Sequence, residues 1–316
     1  MGLKSIFDAM KAEDSYVLRK LDTYLVSLNA KDNDRAPNVN SPSQASVCNR
    51  ANYYARMGYQ SDGSIDARTR RIFDNGTHVH IRLQEYLLEQ GVLISDEVPC
   101  INEEYNIQGH TDGFLSIGKE NSNRVLVPKG VLKAKVDVTT YSRVAILEIK
   151  SINSANFTQL KDAKEAHKEQ AMIYCYCAEQ RRLYLKSKYA TYEAFHASMP
   201  EREKHFRKRY DYLQDGRKHS REEKINFQVK LCLDADEVLY NTVMPIDTVV
   251  YIYENKDTQD IKEFSVKLDK DILQGVLDKY KTLNECIDEK ILPPREGTSK
   301  SCSTCRWCNY KIECFG

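Results

Sequence analysis

Residues 144 to 151 read VAILEIKS, an apolar run in which a carboxylate and an ammonium group stand two residues apart. Such a density of apolar and β-branched residues predicts a buried strand. Side chains alternate between the two faces of a strand, so Glu148 and Lys150 share one face while Leu147 and Ile149 point to the core. An ordinary salt pair on a solvated sheet face has the same pattern. The rest of the chain must therefore decide what this pair does.

The segments on either side of VAILEIKS predict further strands and helices. Helices are predicted over residues 47–57, 65–91, 159–178 and 269–289. Strands are predicted at VLISDEV (92–98), YNIQGHTDGFLSI (105–117), RVLVPKGVLKAKVDV (124–138), INFQVKLCL (225–233) and TVVYIYE (248–254). This order predicts an α/β core in which a mixed central sheet is flanked by helices.

The N-terminal part differs in composition from this core. Residues 4–29 place apolar side chains at helical spacing, and residues 30–46 are rich in Asn, Asp, Ser and Pro, which predicts a linker or an exposed loop. We therefore predict a helical N-terminal extension and linker over residues 1–45. The main domain is predicted over residues 46–316, and its last part, residues 296–316, forms a cysteine-rich tail.

Composition excludes several classes of protein. The 316 residues carry a formal net charge of +1, so any contact with DNA must come from a local patch. Residues 181–224 hold thirteen Lys and Arg against seven Asp and Glu, which fits either solvated helical faces or a pair of basic helices facing DNA. The chain has neither the apolar run of a transmembrane helix nor a secretory signal, so we expect a cytoplasmic protein without membrane contact.

Two carboxylates, Asp112 and Glu148, could hold a hard cation. Asp112 lies between Gly109 and Gly113, thirty-six residues before Glu148. Glycines allow a backbone or a ligand to approach closely, and divalent cations prefer oxygen ligands. His80, on the helix before the sheet, could add an imidazole, although a single His on a helix more often packs or faces solvent.

A pair of polar residues on the following helix completes the set of candidate residues. Gln170 and Tyr174 are four residues apart and therefore lie on one helix face, where they could support Lys150 or a phosphate. Four basic residues could line the path of a DNA strand. They are Arg68, Arg70, Arg71 and Lys256.

The ordered set of motifs, G-x3-H, G-x2-D, E-x-K and Q-x3-Y, resembles the RecB-like branch of the PD-(D/E)XK nucleases, across residues 46–316. The resemblance implies a restriction-endonuclease-like core and a bound Mg²⁺ or Mn²⁺. It implies that the metal ligands are His80, Asp112, Glu148 and the backbone carbonyl of Ile149. Lys150 would position or activate the attacking water, with Gln170 and Tyr174 as supporting helix residues. Thr111 stands where the superfamily name has proline.

The function that this resemblance implies is metal-dependent hydrolysis of phosphodiester bonds in DNA, by an exonuclease acting on DNA ends or single strands in recombination or repair. A helicase or recombination protein would be its partner. A non-catalytic DNA-binding or assembly module is the first alternative, but it leaves Asp112, Glu148 and Lys150 without a purpose. A redox protein is the second alternative, and it leaves the same residues unexplained.

The tail KSCSTCRWCNYKIECFG places four cysteines within thirteen residues, a density that predicts a metal centre. Zinc could be held by Cys302, Cys305, Cys308 and Cys314 alone. The spacing C-x2-C-x5-C of the last three resembles the C-terminal triplet of AddB-type and CRISPR adaptation nucleases, whose fourth ligand lies upstream of the nuclease core. That resemblance implies a [4Fe-4S] cluster on Cys48, Cys305, Cys308 and Cys314 and leaves Cys302 surplus.

The remaining five cysteines lie in apolar or helical surroundings and are predicted to be packing residues. They are Cys100, Cys175, Cys177, Cys232 and Cys286.

Overall fold

The structure is a computed structural model, and it describes residues 16–28, 38–63, 65–129, 132–216 and 218–316. The helices in these ranges are α1 (Tyr16–Ser27), α2 (Asn49–Arg56), α3 (Ala67–Glu89), α4 (Ser154–Gln159), α5 (Glu165–Lys188), α6 (Tyr192–Ala197), α7 (Met199–Arg209), α8 (Arg221–Asn241), α9 (Lys270–Asp288) and α10 (Lys311–Phe315). The strands are β1 (Leu93–Asn102), β2 (Ile107–Ser116), β3 (Glu120–Lys129), β4 (Leu132–Tyr141), β5 (Val144–Ile152), β6 (Thr248–Asn255) and β7 (Ile261–Lys267).

A central sheet carries the strands in the order β1-β2-β5-β6-β7. The β5–β6 pair is parallel, and its neighbours pair antiparallel, so the sheet is mixed. The strands β3 and β4 form a separate two-stranded sheet. The predicted α/β architecture, a mixed central sheet flanked by helices, is confirmed.

The two faces of β5 bury different side chains. Leu147 and Ile149 pack in one apolar cluster with Val79 and Leu83 of α3. Ile146 belongs to a larger cluster on the opposite face, which includes residues of α5, α8 and α9. The predicted alternation along VAILEIKS is confirmed, since Leu147 and Ile149 are fully buried.

The strand predicted over residues 225–233 is wrong, because this segment lies within helix α8. Its apolar residues alternate in the sequence, but Phe227 is exposed whereas Ile225 and Val229 are buried, which is the helical period. A capping box formed by Ser220 and Glu223 starts the helix. The local capping signal and the packing of the long helix outweigh the alternating pattern.

The predicted linker or exposed loop, residues 30–46, is described from residue 38 onward. The prediction is wrong for residues 38–46, because this segment packs on the domain. Asn40 pairs with Ile107 of β2, and Asn40, Pro42 and Ala45 are buried. The side-chain amide of Asn40 donates a hydrogen bond to the carbonyl of Tyr105 at 2.7 Å, which satisfies a buried polar group. Residues 29–37 lie outside the described ranges.

The piece predicted as strand over residues 124–138 contains parts of two strands, β3 and β4, which pair antiparallel. Other predicted elements differ mainly in their ends. The helix predicted over residues 159–178 runs from Glu165 to Lys188. Of the helices predicted over residues 4–29, the structure describes Tyr16–Ser27, and residues 1–15 lie outside the described ranges. On α3, Val79 and Leu83 are buried, whereas Ile72 is exposed. No described helix has both the length and the apolar character that crossing a membrane demands.

Candidate functional site

Asp112 is held against strand β5 by the pairing of β2. Gly113 pairs with Leu147, and Asp112 Oδ2 accepts a hydrogen bond from the backbone N–H of Ile149. A Cβ atom on Gly113 would lie 2.5 Å from the carbonyl oxygen of Ser95 in β1, so β1 and β2 come this close together only because position 113 is glycine. The glycine next to Asp112 thus lets β1 lie close against the strand that carries Asp112.

One chain of polar contacts links β5 to α5 and runs through Glu148, Lys150, Gln170 and Tyr174. Lys150 Nζ pairs with Glu148 Oε1 and donates to Gln170 Oε1 at 3.2 Å. Gln170 Nε2 in turn donates to the Tyr174 hydroxyl at 2.9 Å. Glu148 is 2% exposed, so this is not the salt pair of a solvated sheet face. The structure therefore brings together the two motifs E-x-K and Q-x3-Y.

Burial favours the neutral form of the Glu148 carboxyl group. Desolvation and the negative charge of Asp112 raise the pKa of Glu148, although Lys150 opposes the shift. Burial and the charge of Glu148 also raise the pKa of Tyr174. Two carboxylates that lie close together repel each other, so a positive charge beside them is favoured.

His80 reaches the same place from helix α3. Its Nδ1 lies 3.0 Å from Asp112 Oδ1, within hydrogen-bond distance. Burial on its own would lower the pKa of His80, but the hydrogen bond with Asp112 and its charge outweigh this and raise the pKa. Asp112 thus contacts a helix residue with one oxygen and the backbone of β5 with the other.

An open cleft of about 600 Å³ lies beside these residues, between α3 and the sheet. His80 and Asp112 line it together with Lys256, whereas Glu148 is buried and does not line it. Phe73 is 53% exposed at this cleft, and exposed Ile72 lines it as well. Exposed apolar side chains beside a polar site are a feature of ligand-binding surfaces.

Two residues at the cleft were missed by the sequence interpretation. Gln84 is 5% exposed and donates from Nε2 to the carbonyl of Asp112 at 2.8 Å and to Glu97 Oε1 at 3.3 Å. Glu97 lies in β1, and both residues line the cleft. Gln84 follows His80 by four residues, so the shared helix face was a usable signal. Glu97 carried no motif that would have marked it.

Among the basic candidates, Lys256 lies at the cleft, while two of the α3 arginines have acidic partners. Arg70 pairs with Asp74 at 3.3 Å, and Arg71 pairs with Asp22. Many charges of residues 181–224 are also paired, for example Arg181 and Arg202 with Asp236. This pairing agrees with solvated or internally neutralised helices more than with a free basic surface.

The donor atoms at the cleft suit a hard divalent cation, since they are carboxylate oxygens and one imidazole. In the parts of the chain that the structure describes, no three His, Cys, Asp or Glu side chains are placed to hold a metal ion. Glu148 pairs with Lys150, and Asp112 contacts His80. An ion shared by these groups therefore requires their side chains to rotate.

The four cysteines implied as ligands of a [4Fe-4S] cluster line a second pocket. Cys48 caps helix α2, and Cys305, Cys308 and Cys314 line the same pocket. Cys302 is not among the lining residues, but it lies beside Cys305. Backbone N–H groups of the tail lower the pKa of Cys302 to about 7, whereas burial and the neighbouring thiols raise the pKa of Cys305 to about 11. The donor set consists of soft sulfur atoms, which suits iron-sulfur or zinc.

Hydrogen bonds also tie the tail to the residues around Cys48. Asp62 donates its backbone N–H to the carbonyl of Asn309 at 2.6 Å, and its carboxylate accepts from the N–H of Ile312 at 2.8 Å. Arg50 Nε donates to the carbonyl of Pro293 at 2.6 Å. These contacts join the region of α2 to the C-terminal segment in addition to the thiols.

The other cysteines have the surroundings that packing residues have. Cys100, Cys175, Cys177 and Cys232 are buried, and Cys286 is partly buried against the apolar cluster of α2 and α9. Their prediction as packing residues is confirmed.

Comparisons with known proteins add little to this geometry. The sequence matches no protein-family model and no curated protein. One similar solved structure is the crystal structure of SSO0001, with 13% identity over 95% of this chain and 96% of that chain. Its TM-score of 0.37 is too low to support an argument about fold or function.

Proposed function

We propose that this protein is a divalent-metal-dependent deoxyribonuclease with a RecB-like PD-(D/E)XK core. One observation carries the proposal. Asp112 and Glu148, on adjacent strands, converge with His80 and Lys150 beside an open cleft. A DNA-binding module has no evident need for a buried carboxylate paired with lysine next to a second carboxylate.

The chemistry that the proposal needs is hydrolysis of an anionic ester. A divalent ion held by Asp112, Glu148, His80 and the carbonyl of Ile149 would offset the charge of the phosphate and lower the pKa of bound water. The carboxylate of Asp112 is oriented by the N–H of Ile149 at Oδ2 and by His80 at Oδ1, while Gln84 holds the backbone carbonyl of Asp112.

Lys150 supplies a positive charge at a defined position. Gln170 accepts a hydrogen bond from Lys150 Nζ, and Tyr174 fixes Gln170 from the next helical turn. When Glu148 turns toward an ion, Lys150 keeps its contact with Gln170 and can orient a water molecule or contact a phosphate oxygen. The ammonium group contributes charge without having to change its protonation state.

The cleft suits a DNA strand. Lys256 lies on its wall and can contact a phosphate, and exposed Phe73 offers a ring on which a base can stack. We propose single-stranded DNA, or duplex DNA with a free end, as the substrate. A helicase or recombination protein would supply such strands in recombination or repair.

We further propose that Cys48, Cys305, Cys308 and Cys314 hold a [4Fe-4S] cluster. The pocket lined by these four thiols supports this ligand set over the four tail cysteines alone. Zinc on the tail is the alternative, because Cys302 lies beside Cys305. The cluster would join α2 to the tail through Cys48, whereas zinc on the four tail cysteines would hold the tail alone. In either form the group would act on stability rather than on hydrolysis.

DNA cleavage by anaerobically purified protein tests the proposed activity. Labelled single-stranded, linear duplex and circular duplex DNA are incubated with Mg²⁺ or Mn²⁺ or with neither. We expect metal-dependent cleavage, and we expect Glu148→Gln to slow it by at least about 100-fold, because a charge that binds the ion is lost.

Asp137→Asn is the matched control, since Asp137 is an exposed carboxylate on β4 that pairs with Arg124. Its cleavage rate should stay within about twofold of wild type, as for surface changes away from a site. Binding of DNA without cleavage under every metal tested would contradict the nuclease and favour the non-catalytic binding module.

A further inference from the structure

A cavity of about 450 Å³ lies between strand β1 and the helices α5, α7 and α8, and it shares no lining residue with the cleft. Buried Phe114, Cys177 and Leu239 form part of its wall, whereas Tyr184, which also lines it, is 46% exposed. Sites for small molecules have this size and combine apolar walls with a few polar groups. The polar groups on the wall therefore indicate what the cavity can hold.

Tyr189 brings to this cavity a hydroxyl group that the described protein does not use. The residue is 8% exposed, and its hydroxyl is buried without a hydrogen-bond partner among the described residues. Leaving a buried hydroxyl unpaired costs free energy, and a phenylalanine would fill the same space without that cost. Lys188 Nζ lies 5.4 Å from the centre of the Tyr189 ring, but an ammonium group can only donate. The hydroxyl proton of Tyr189 thus calls for an acceptor from outside the described residues.

Positive charge exceeds negative charge on the wall of the cavity. Besides His205, the ionisable acids and bases that line it are Arg181, Lys188, Arg202, Arg209, Glu103, Glu201 and Asp236. Arg181 and Arg202 share the single carboxylate of Asp236, whereas the other two cations each have an acid of their own. Asp236 is 2% exposed, so water screens the charges around it poorly. The wall therefore favours an anionic ligand.

Flat groups lie next to these charges. The guanidinium group of Arg181 lies 5.1 Å from the ring centre of Tyr184 and 5.4 Å from that of Phe206. Lys188 Nζ lies 5.5 Å from the ring centre of Tyr184, so this half-exposed ring has a cation on either contact. Aromatic rings and guanidinium planes are the groups on which nucleobases stack. A ligand that carries both an anion and a planar ring matches this wall.

We propose that this cavity binds a small organic anion with a planar ring, of the class of a nucleoside monophosphate. A phosphate oxygen accepts the hydroxyl proton of Tyr189 and pairs with Lys188, while the base stacks beside Tyr184. The site is separate from the proposed nuclease site, and binding here requires no divalent cation.

Equilibrium dialysis of the full chain against each common nucleoside 5′-monophosphate, in buffer without divalent cations, tests the proposal. We expect at least one nucleotide to bind with a Kd of about 1 mM or tighter. Inorganic phosphate and the free nucleoside should each bind at least about tenfold more weakly, because each lacks one of the two recognised groups. Phosphate that binds as tightly as the nucleotide would overturn the proposed class of ligand.

Tyr189→Phe removes only the unpaired hydroxyl. It should raise the Kd for the nucleotide at least about tenfold, and the melting temperature of the ligand-free protein should not fall, since no hydrogen bond within the protein is lost. Tyr192→Phe is the control, because the Tyr192 hydroxyl donates to Glu237 at 2.6 Å and lies outside the cavity lining. It should lower the melting temperature and leave the Kd within about twofold.

Lys188→Gln tests the charge on the wall in the same way. It should also raise the Kd, whereas Lys186→Gln, on the same helix but outside the cavity lining, should not. A wild-type protein that binds no nucleotide, or a Tyr189→Phe variant with wild-type affinity, overturns the proposal. Because binding is measured without a divalent cation and cleavage with one, failure here and failure of the proposed nuclease activity are distinguished.

Discussion

Two opposing effects act on the protonation state of the Glu148 carboxyl group. The proposed function requires an anion next to Asp112, whereas burial at 2% exposure favours the neutral acid. In the folded protein the pKa of Glu148 rises from an ordinary value of 4.5 to about 7, first through desolvation and then through Asp112. A group with a raised acid pKa stabilises the fold at low pH, and this stabilisation is lost as the pH rises between these values.

Glu148→Gln should therefore stabilise the metal-free protein at pH 8. The glutamine avoids ionisation inside the sheet, and the gain should reach at most about 3 kcal/mol, the cost of a shift of this size. Near pH 5 the native glutamate holds its proton, so the two proteins should be nearly equal in stability. Urea unfolding of both proteins at the two pH values measures the difference.

Asp137→Asn, an exposed substitution, should leave the free energy of unfolding unchanged at both pH values. A Glu148→Gln variant that is less stable than wild type at pH 8 would show that the Lys150 pair outweighs desolvation.

At the scale of single residues, the sequence could place most of the candidate site but not its surroundings. Glu148 and Lys150 follow from strand alternation, and Gln170 and Tyr174 from helical spacing, both of which are local rules. Glu97 and Gln84 depend on which strand lies beside β2 and on where α3 crosses it. These are contacts between distant segments, which no local pattern contains.

Helices α5, α7 and α8 are held together by one buried acid. Asp236 is 2% exposed and accepts two hydrogen bonds from Arg181, both at 2.7 Å, and one from Arg202 at 2.9 Å. The same three helices wall a cavity of about 450 Å³. The acid therefore fixes the helices that pack across this side of the sheet.

Asp236→Asn should destabilise the protein by about 3 to 5 kcal/mol, because it leaves two guanidinium groups without their anion in a buried place. Asp234→Asn, on the same helix, removes an exposed partner of Lys230 and should cost less than about 0.5 kcal/mol. Urea unfolding of both variants tests the contrast. Equal losses in the two would show that the buried pair carries no special weight.

At the scale of elements, strong periodicity predicted α3, α9 and the strands β1, β2, β5 and β6 close to their observed bounds. The segment 225–233 could not be assigned in this way, because its apolar residues fit both a strand and one side of a long helix. Length and the cap at Ser220 decide that case in favour of the helix.

For the whole molecule, the thiol pocket joins residue 48 to the C-terminal tail. If Cys48 holds the proposed cluster, Cys48→Ser should contain less iron than wild type and should melt at a lower temperature. Cys302→Ser should keep the iron content and the melting temperature of the wild type. Iron content per chain and thermal unfolding of anaerobically purified protein measure the two effects. Cys286→Ser, outside the pocket, is the control.

The reverse result, iron or zinc lost in Cys302→Ser and kept in Cys48→Ser, would assign the metal to the four tail cysteines. The sequence could not settle this choice, because it shows spacing along the tail but not which upstream residue approaches it. The hydrogen bond from Arg50 of α2 to the carbonyl of Pro293, together with those of Asp62 to the tail, holds α2 beside the C-terminal segment.

The parallel pairing of β5 with β6 also affects how the chain is made. Ile146 pairs with Val249, so about one hundred residues must follow the strand that carries Glu148 before its partner exists. At about 5 to 20 residues per second, a ribosome needs roughly 5 to 20 s for that length. Throughout this interval the newly made β5 has an open hydrogen-bonding edge, which can pair with another nascent chain. Slower translation between these strands should therefore lower the yield of soluble protein, and a chaperone that covers apolar strands should restore it.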